Sequence, residues 1–166
     1  IAMTEAVGEF LVITEDHCIV PENWLAEIVK AHDSGYEVIG GAVENGCTKR
    51  LIDWAIFLCE YSYFMPPITE GETDFITGNN TSYQFSVLEQ LDEEIKKDYW
   101  EYFIQAELRH RKIKFLSVPS LIISHKKEFG FFYFLSQRFH YSRSFAAMRK
   151  RKCSISKQII YLLYTP

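Results

Sequence analysis

The chain has 166 residues, 48% of them hydrophobic and 16% aromatic, a size that can bury a sizeable core as one domain or part of one. Its formal net charge of −4 hides an asymmetry: residues 1–128 carry all 22 acidic side chains against 11 basic ones, whereas the last 38 residues carry seven basic side chains and no acid. An acidic body with a basic, aromatic tail argues against general nucleic-acid binding and fits a tail resting on an anionic membrane surface.

In chain order, strands and helices alternate, as in α/β proteins. The apolar run Phe10 to Thr14 predicts a buried strand, and Trp24 to Asp33 a helix with Leu25, Ile28 and Val29 on one face, ended by Gly35. Val38 to Val43 predicts a second strand, whose Gly40 and Gly41 imply close approach of another part of the chain or a ligand. Arg50 to Tyr63 has helical spacing and is broken by Met65-Pro66-Pro67; Thr69 to Thr73 reads as a polar loop. Phe75 to Thr77 reads as a short strand entering Gly78-Asn79-Asn80, followed by a short helix at Val87 to Leu91. Tyr99 to Arg111 predicts a helix, Lys114 to Val118 and Leu121 to Ser124 two strands, and Gly130 to Arg149 a long aromatic helix.

Cys18, Cys47, Cys59 and Cys153 lack C-x-x-C spacing and read as free thiols of a reducing compartment. No apolar run reaches the roughly 18 residues needed to span a bilayer. The expected location is cytoplasmic, peripheral to or tethered at the inner face of a membrane. Two units are expected, 1–128 and a membrane-proximal tail, 129–166.

The most informative segment is Phe10 to Leu25. Its apolar strand ends abruptly in Glu15, Asp16 and His17, and Pro21 then closes a short loop before Trp24. Two acids and an imidazole at the end of a buried strand are costly without a partner. The carboxyl edge of an open α/β sheet is also where ligands bind. A divalent cation is the simplest partner, and a phosphate-bearing substrate is the simplest reason to hold one.

This pattern of apolar strand, acidic triplet and x-x-x-Pro-x-x-Trp-Leu resembles the metal-binding segment of family 2 glycosyltransferases with the GT-A fold. Their commonest triplets are D-x-D and E-D-D; here the third position is His17, which shifts preference toward softer metals such as Mn²⁺. Further segments are similar in order: Val38 to Asn45; Phe75 to Tyr83, with Gly78, Asn79 and Asn80 beside the donor sugar; the helix holding Trp100 and Glu101; and Lys114 to His125. Gln137-Arg138 is similar to part of the Q-x-x-R-W motif of processive members, but with different spacing and no Trp, so it implies nothing about processivity. The resemblance spans Ala6 to about Arg149 and implies the acceptor-side portion of a GT-A domain, a mixed sheet flanked by helices. The base-holding half would lie roughly 80–100 residues of chain upstream.

The resemblance implies a metal-dependent, inverting transfer from a nucleotide sugar to a lipid-linked or polysaccharide acceptor, with Mn²⁺ or Mg²⁺ as cofactor. Glu15, His17 and His125 would hold the metal, Glu101 would act as catalytic base, and Asp16, Gly78, Asn79, Asn80, Trp100 and Arg138 would bind substrate. Each residue also has a structural reading. Glu101 is an acid in a first helical turn, His125 a strand-end histidine, Asn79 and Asn80 turn formers, and Trp100 and the Phe129-to-Phe139 stripe core. The rival function is a catalytically silent membrane-docking or protein-interaction module that keeps half the fold. A nucleotidyltransferase is a third option, against which stands the lack of a basic Gly-rich phosphate loop.

Overall fold

A computed structural model describes residues 5–91, 101–151 and 156, and divides the chain into two compact units that meet between Glu128 and Phe129. The first unit is α/β. Its strands are β1 (Phe10–Ile13), β2 (Cys18–Ile19), β3 (Val38–Asn45), β4 (Gly71–Thr73), β5 (Thr81–Gln84) and β6 (Phe115–His125). Its helices are α1 (Trp24–His32), α2 (Leu51–Tyr61), α3 (Phe85–Glu89) and α4 (Glu101–His110), with a 3₁₀ turn at Ser62–Phe64. The strands form one mixed sheet in the order β1-β5-β3-β6-β2, and β4 pairs with β6 as well. Among the described residues, β3 and β6 run parallel and the other pairs are antiparallel.

Helices cover both faces of the sheet, so its central strand is apolar on both sides. Val38 of β3 joins Ile76, Tyr83, Val87, Leu88, Ile104, Leu108 and Phe115 on one face. The next residue, Ile39, joins Trp24, Ile28, Val43, Phe57, Leu121 and Ile123 on the other. This alternation is the period-two geometry of a strand. Burying a side chain of this kind is worth about 1.5–3 kcal/mol, and the two clusters together hold the sheet between its helices.

The pairing of β3 with β6 contains a register shift between Gly40 and Ala42. Gly40 pairs with Ser117 and Ala42 with Ile122, so β6 bulges over the intervening residues, which include Pro119. A strand proline, having no N–H to offer a ladder, is tolerated at such a place. The expected two strands flanking Pro119 are therefore a single bulged one. The bulge leaves carbonyls without ladder partners. Asn80, 2% exposed, supplies them: its Nδ2 donates to Ala42 O (2.9 Å) and Leu121 O (2.8 Å), and its Oδ1 accepts from Trp24 Nε1 (3.0 Å). Gly41 donates its backbone N–H to Asn80 O (3.1 Å). A Cβ on Gly41 would sit 2.0 Å from Leu121 O and 2.5 Å from Asn80 Nδ2, and one on Gly40 would meet the Ile76 side chain at 2.4 Å. The close approach expected at both glycines is thus to the protein's own chain.

Several elements differ from expectation. In α1 the inward face is Trp24, Ile28 and His32, whereas Leu25 (61%) and Val29 (49%) are exposed. Polar anchors set this rotation: Trp24 bonds Asn80, and His32 lies between Tyr36 O (2.9 Å from Nδ1) and Ser82 Oγ (2.8 Å from Nε2). Thr69 to Thr73 contains β4 rather than a loop alone, and Phe75 to Thr77 is irregular. The neighbouring strand is instead the polar Thr81–Gln84, buried between β1 and β3. The hydroxyls of Thr81 and Ser82 are satisfied within the fold: Thr81 Oγ1 donates to Thr77 O, and Ser82 Oγ bonds His32.

The second unit contains α5 (Phe131–Arg151), in which Phe131, Phe132, Tyr133, Leu135 and Phe139 are exposed. Arg138 stacks over Tyr141 at 4.7 Å, and Arg143 lies over Phe139 at 5.6 Å. Among the described residues, no helix is long and apolar enough to cross a membrane.

Replacing Asn80 with Leu should cost about 3–5 kcal/mol in unfolding free energy measured with urea, because two buried carbonyls and an indole N–H lose their partner. A second expectation concerns acid. Burial depresses the His32 pKa, despite the opposing hydrogen bond to Tyr36 O. The stability tied to neutral His32 is complete above its unfolded pKa of about 6.5 and is lost as pH falls below it. The loss of stability between pH 7.5 and 5 should therefore be shallower in His32→Gln than in the parent.

Candidate metal centre

The cluster is built by one tight turn and one short strand pair. Glu15 to Cys18 form a turn closed by Cys18 N–H to Glu15 O (3.0 Å), directly after β1. β2 then pairs with the end of β6, Cys18 opposite His125, and Lys126 N–H bonds His17 O (2.9 Å). Residues 108 positions apart in sequence are thereby brought side by side. His17 Nε2 lies 2.9 Å from His125 Nε2 and 3.0 Å from Glu15 Oε2, and His125 Nε2 lies 3.7 Å from that same oxygen. One ligand atom from each residue falls within 4.8 Å of the others.

The surroundings hold these groups in orientation. Asp16, on the outside of the turn, bonds His17 Nδ1 at 2.7 Å, and this contact with His17 holds the Asp16 carboxyl below its ordinary pKa. The Nδ1 proton is then directed at Asp16, leaving the His17 Nε2 lone pair facing the cluster. His125 is buried, and desolvation, reinforced by neighbouring His17, pushes its pKa down, so the ring is neutral at pH 7. Glu15 Oε2 accepts from Asn79 Nδ2 (3.2 Å) and Tyr61 OH (3.4 Å). Burial raises the Tyr61 pKa, which keeps the phenol a donor. Asn79 is itself oriented by Thr77 Oγ1, which donates to Asn79 Oδ1 at 2.7 Å.

Two imidazoles and a carboxylate converging on one point form a donor set that suits a proton or a cation between them. Metal–ligand bonds of about 2.1 Å put neighbouring ligand atoms about 3.0 Å apart at right angles and about 3.4 Å apart in a tetrahedron. The separations here bracket those values, so Glu15, His17 and His125 can hold a divalent ion. A mixed imidazole–carboxylate set favours transition ions such as Mn²⁺ over Mg²⁺, which prefers oxygen alone.

Glu101 reaches the same region from α4. Its side chain lies against Gly78, where a Cβ would be 2.6 Å from Glu101 Cγ, and Gly78 adjoins Asn79. Four residues on, Gln105 brackets Ile76: its Nε2 donates to Ile76 O (2.9 Å), and its Oε1 accepts from Ile76 N (3.5 Å). Four further on, Arg109 bonds Asp74 O and stacks 4.4 Å over the Phe75 ring. One stripe of α4 thus grips the loop that delivers Asn79 to Glu15.

Of the residues expected in the site, Glu15, Asp16, His17, Asn79 and His125 come together, and Gly78 with Glu101 adjoins them. Asn80 points its amide into the β3–β6 bulge. Arg138 belongs to the second unit, and Trp100 lies outside the described residues. Sequence reasoning missed Tyr61, Thr77 and Gln105. Only Gln105 carried a signal, the polar i, i+4, i+8 spacing of Glu101, Gln105 and Arg109 on one helix face. No protein-family profile matches the chain, and no curated protein matches it.

Exchanging Asp16 for Asn should weaken Mn²⁺ affinity about 10- to 100-fold through loss of the His17 orientation, as read by calorimetric titration.

Proposed function

We propose that the protein is a GT-A-type glycosyltransferase, a metal-dependent, inverting enzyme that moves a sugar from a nucleotide sugar to a lipid-linked or polysaccharide acceptor. The observation that carries this reading is the convergence of Glu15, His17 and His125 at the end of β1 and β6, with the Glu101 carboxylate against adjoining Gly78. The mixed sheet between helices is compatible with it.

In this reading Glu15, His17 and His125 would hold a divalent ion, which would supply positive charge for the departing diphosphate. The chain's own residues supply the rest. Glu101 accepts the proton of the acceptor hydroxyl as that oxygen bonds the anomeric carbon; the bond from that carbon to the diphosphate oxygen breaks, and its electron pair leaves with the diphosphate. With one base and direct attack, the anomeric configuration inverts. Asn79 and Tyr61 hold Glu15 by donating to its Oε2, so that it faces the two imidazoles. Asp16 does the same for His17. The second unit, rich in exposed Phe and Tyr and bearing Arg138 and Arg143 without any acid, would rest on an anionic membrane at its cytoplasmic face.

Titration of nucleoside diphosphates into the protein tests the donor site. Binding should require Mn²⁺, be weaker with Mg²⁺, and vanish in Glu15→Ala. Glu101→Gln should keep that binding while transfer falls about 10²- to 10⁴-fold. Absence of metal-dependent binding with every base, both in this chain and in a form extended upstream, would end the transferase reading in favour of a silent docking module, and normal turnover by Glu101→Gln would remove the base from its role.

A further inference from the structure

A cavity of about 290 Å³ opens beside the cluster, between the 3₁₀ turn, β4 and the Phe75–Ile76 segment, with Gly40 and Gly41 among the residues that line it. Its volume is near the lower end for small-molecule sites, room for one ring rather than a nucleotide. The same two chain segments serve both places. Tyr61 touches Glu15, and three residues on, Phe64 lines the cavity; Asn79 touches Glu15, and three residues back, Ile76 lines it. Three residues of chain span at most about 11 Å, so the cavity and the cluster are neighbours.

The lining has a definite chemistry. Tyr63, Phe64 and Phe75 provide aromatic surface, Thr73 and Ser117 provide hydroxyls, and Glu70 and Glu72 provide carboxylates. Among the described residues, the lining contains no Lys, Arg or His. The cations tied to it are engaged on its own residues: Lys114 pairs with Glu72 at 2.8 Å, and Arg109 covers one face of Phe75. Tyr63 is 70% exposed and meets Phe75 edge-on, with ring centroids 6.5 Å apart. An aromatic wall matches the apolar C–H face of a sugar ring, while carboxylates and hydroxyls match its rim of hydroxyl groups. Glu70 repels a phosphate or a uronate, whereas the charge of Glu72 is offset by Lys114.

We infer that this cavity binds one neutral sugar unit, the terminal residue of a glycan acceptor, and that it excludes phosphorylated and acidic sugars. The sugar site stands on the cavity itself; its role as acceptor subsite rests on the glycosyl-transfer reading. The acceptor would therefore be recognised by its uncharged sugar end, and any lipid phosphate would stay outside this cavity.

Saturation-transfer NMR on the protein tests this with glucose, galactose, mannose and N-acetylglucosamine, with glucuronate and glucose 1-phosphate as charged counterparts. At least one neutral sugar should show saturation at millimolar concentration. Tyr63→Ala, at an exposed position, should weaken it about 3- to 10-fold, and Phe75→Ala likewise. Both charged sugars should bind about tenfold more weakly, and chelation of metal should change nothing. No signal from any neutral sugar, unchanged affinity in both aromatic variants, or equal binding of glucose 1-phosphate would overturn the inference. Neutral-sugar binding in a protein that takes no nucleoside diphosphate would uphold the sugar site and remove its acceptor role.

Discussion

The amide of Asn80 closes a gap that the sheet cannot close for itself. Where β6 bulges away from β3, two strand carbonyls, Ala42 O and Leu121 O, would be buried without donors, and one side-chain NH₂ satisfies both. The same amide accepts the Trp24 indole and so sets the rotation of α1. Gly41 has no side chain because the space of its Cβ is taken by Leu121 O and Asn80. The parallel pairing of β3 with β6, the seating of α1 and the position of the loop before β5 all depend on this one residue. A buried polar group with every partner present gives a fold its register as well as its stability.

That register is what makes the cluster. β6 must end opposite Asn45 and Cys18 for His125 to reach His17, and the loop ending in Asn80 must be anchored for Asn79 to reach Glu15. α4 holds the loop from the other side through Gln105 and Arg109. The ligand atoms therefore sit on a rigid frame, with Asp16, Asn79 and Tyr61 each orienting one of them or its neighbour. The hydrogen bonds that orient the cluster are made within the protein itself.

Charge is divided along the chain in the same sense. The first unit carries the acids, of which Glu70 and the Lys114-paired Glu72 line the cavity. Glu15, His17 and His125 are placed so that they could hold a cation. The second unit carries cations over aromatic rings, a composition suited to an anionic surface.

Much of this was legible in the residues. The α/β alternation, the buried run of β3, the close approach at Gly40 and Gly41, and the pairing of a strand with an acid–acid–imidazole turn are local patterns, set by side-chain period and by the cost of burying charge. Other features depended on partners distant in sequence. Thr81–Gln84 is polar, and its Thr81 and Ser82 hydroxyls are satisfied by Thr77 and His32. Leu25 and Val29 look like core, but the Trp24 and His32 anchors turn them to solvent. The chain by itself determined which carboxylates, imidazoles and aromatic rings were available, and on which elements they lie. Only the tertiary structure decided that Asn80 serves the sheet and Asn79 serves Glu15, because hydrogen-bond partners across the sheet are chosen by register, which no local stretch of sequence specifies.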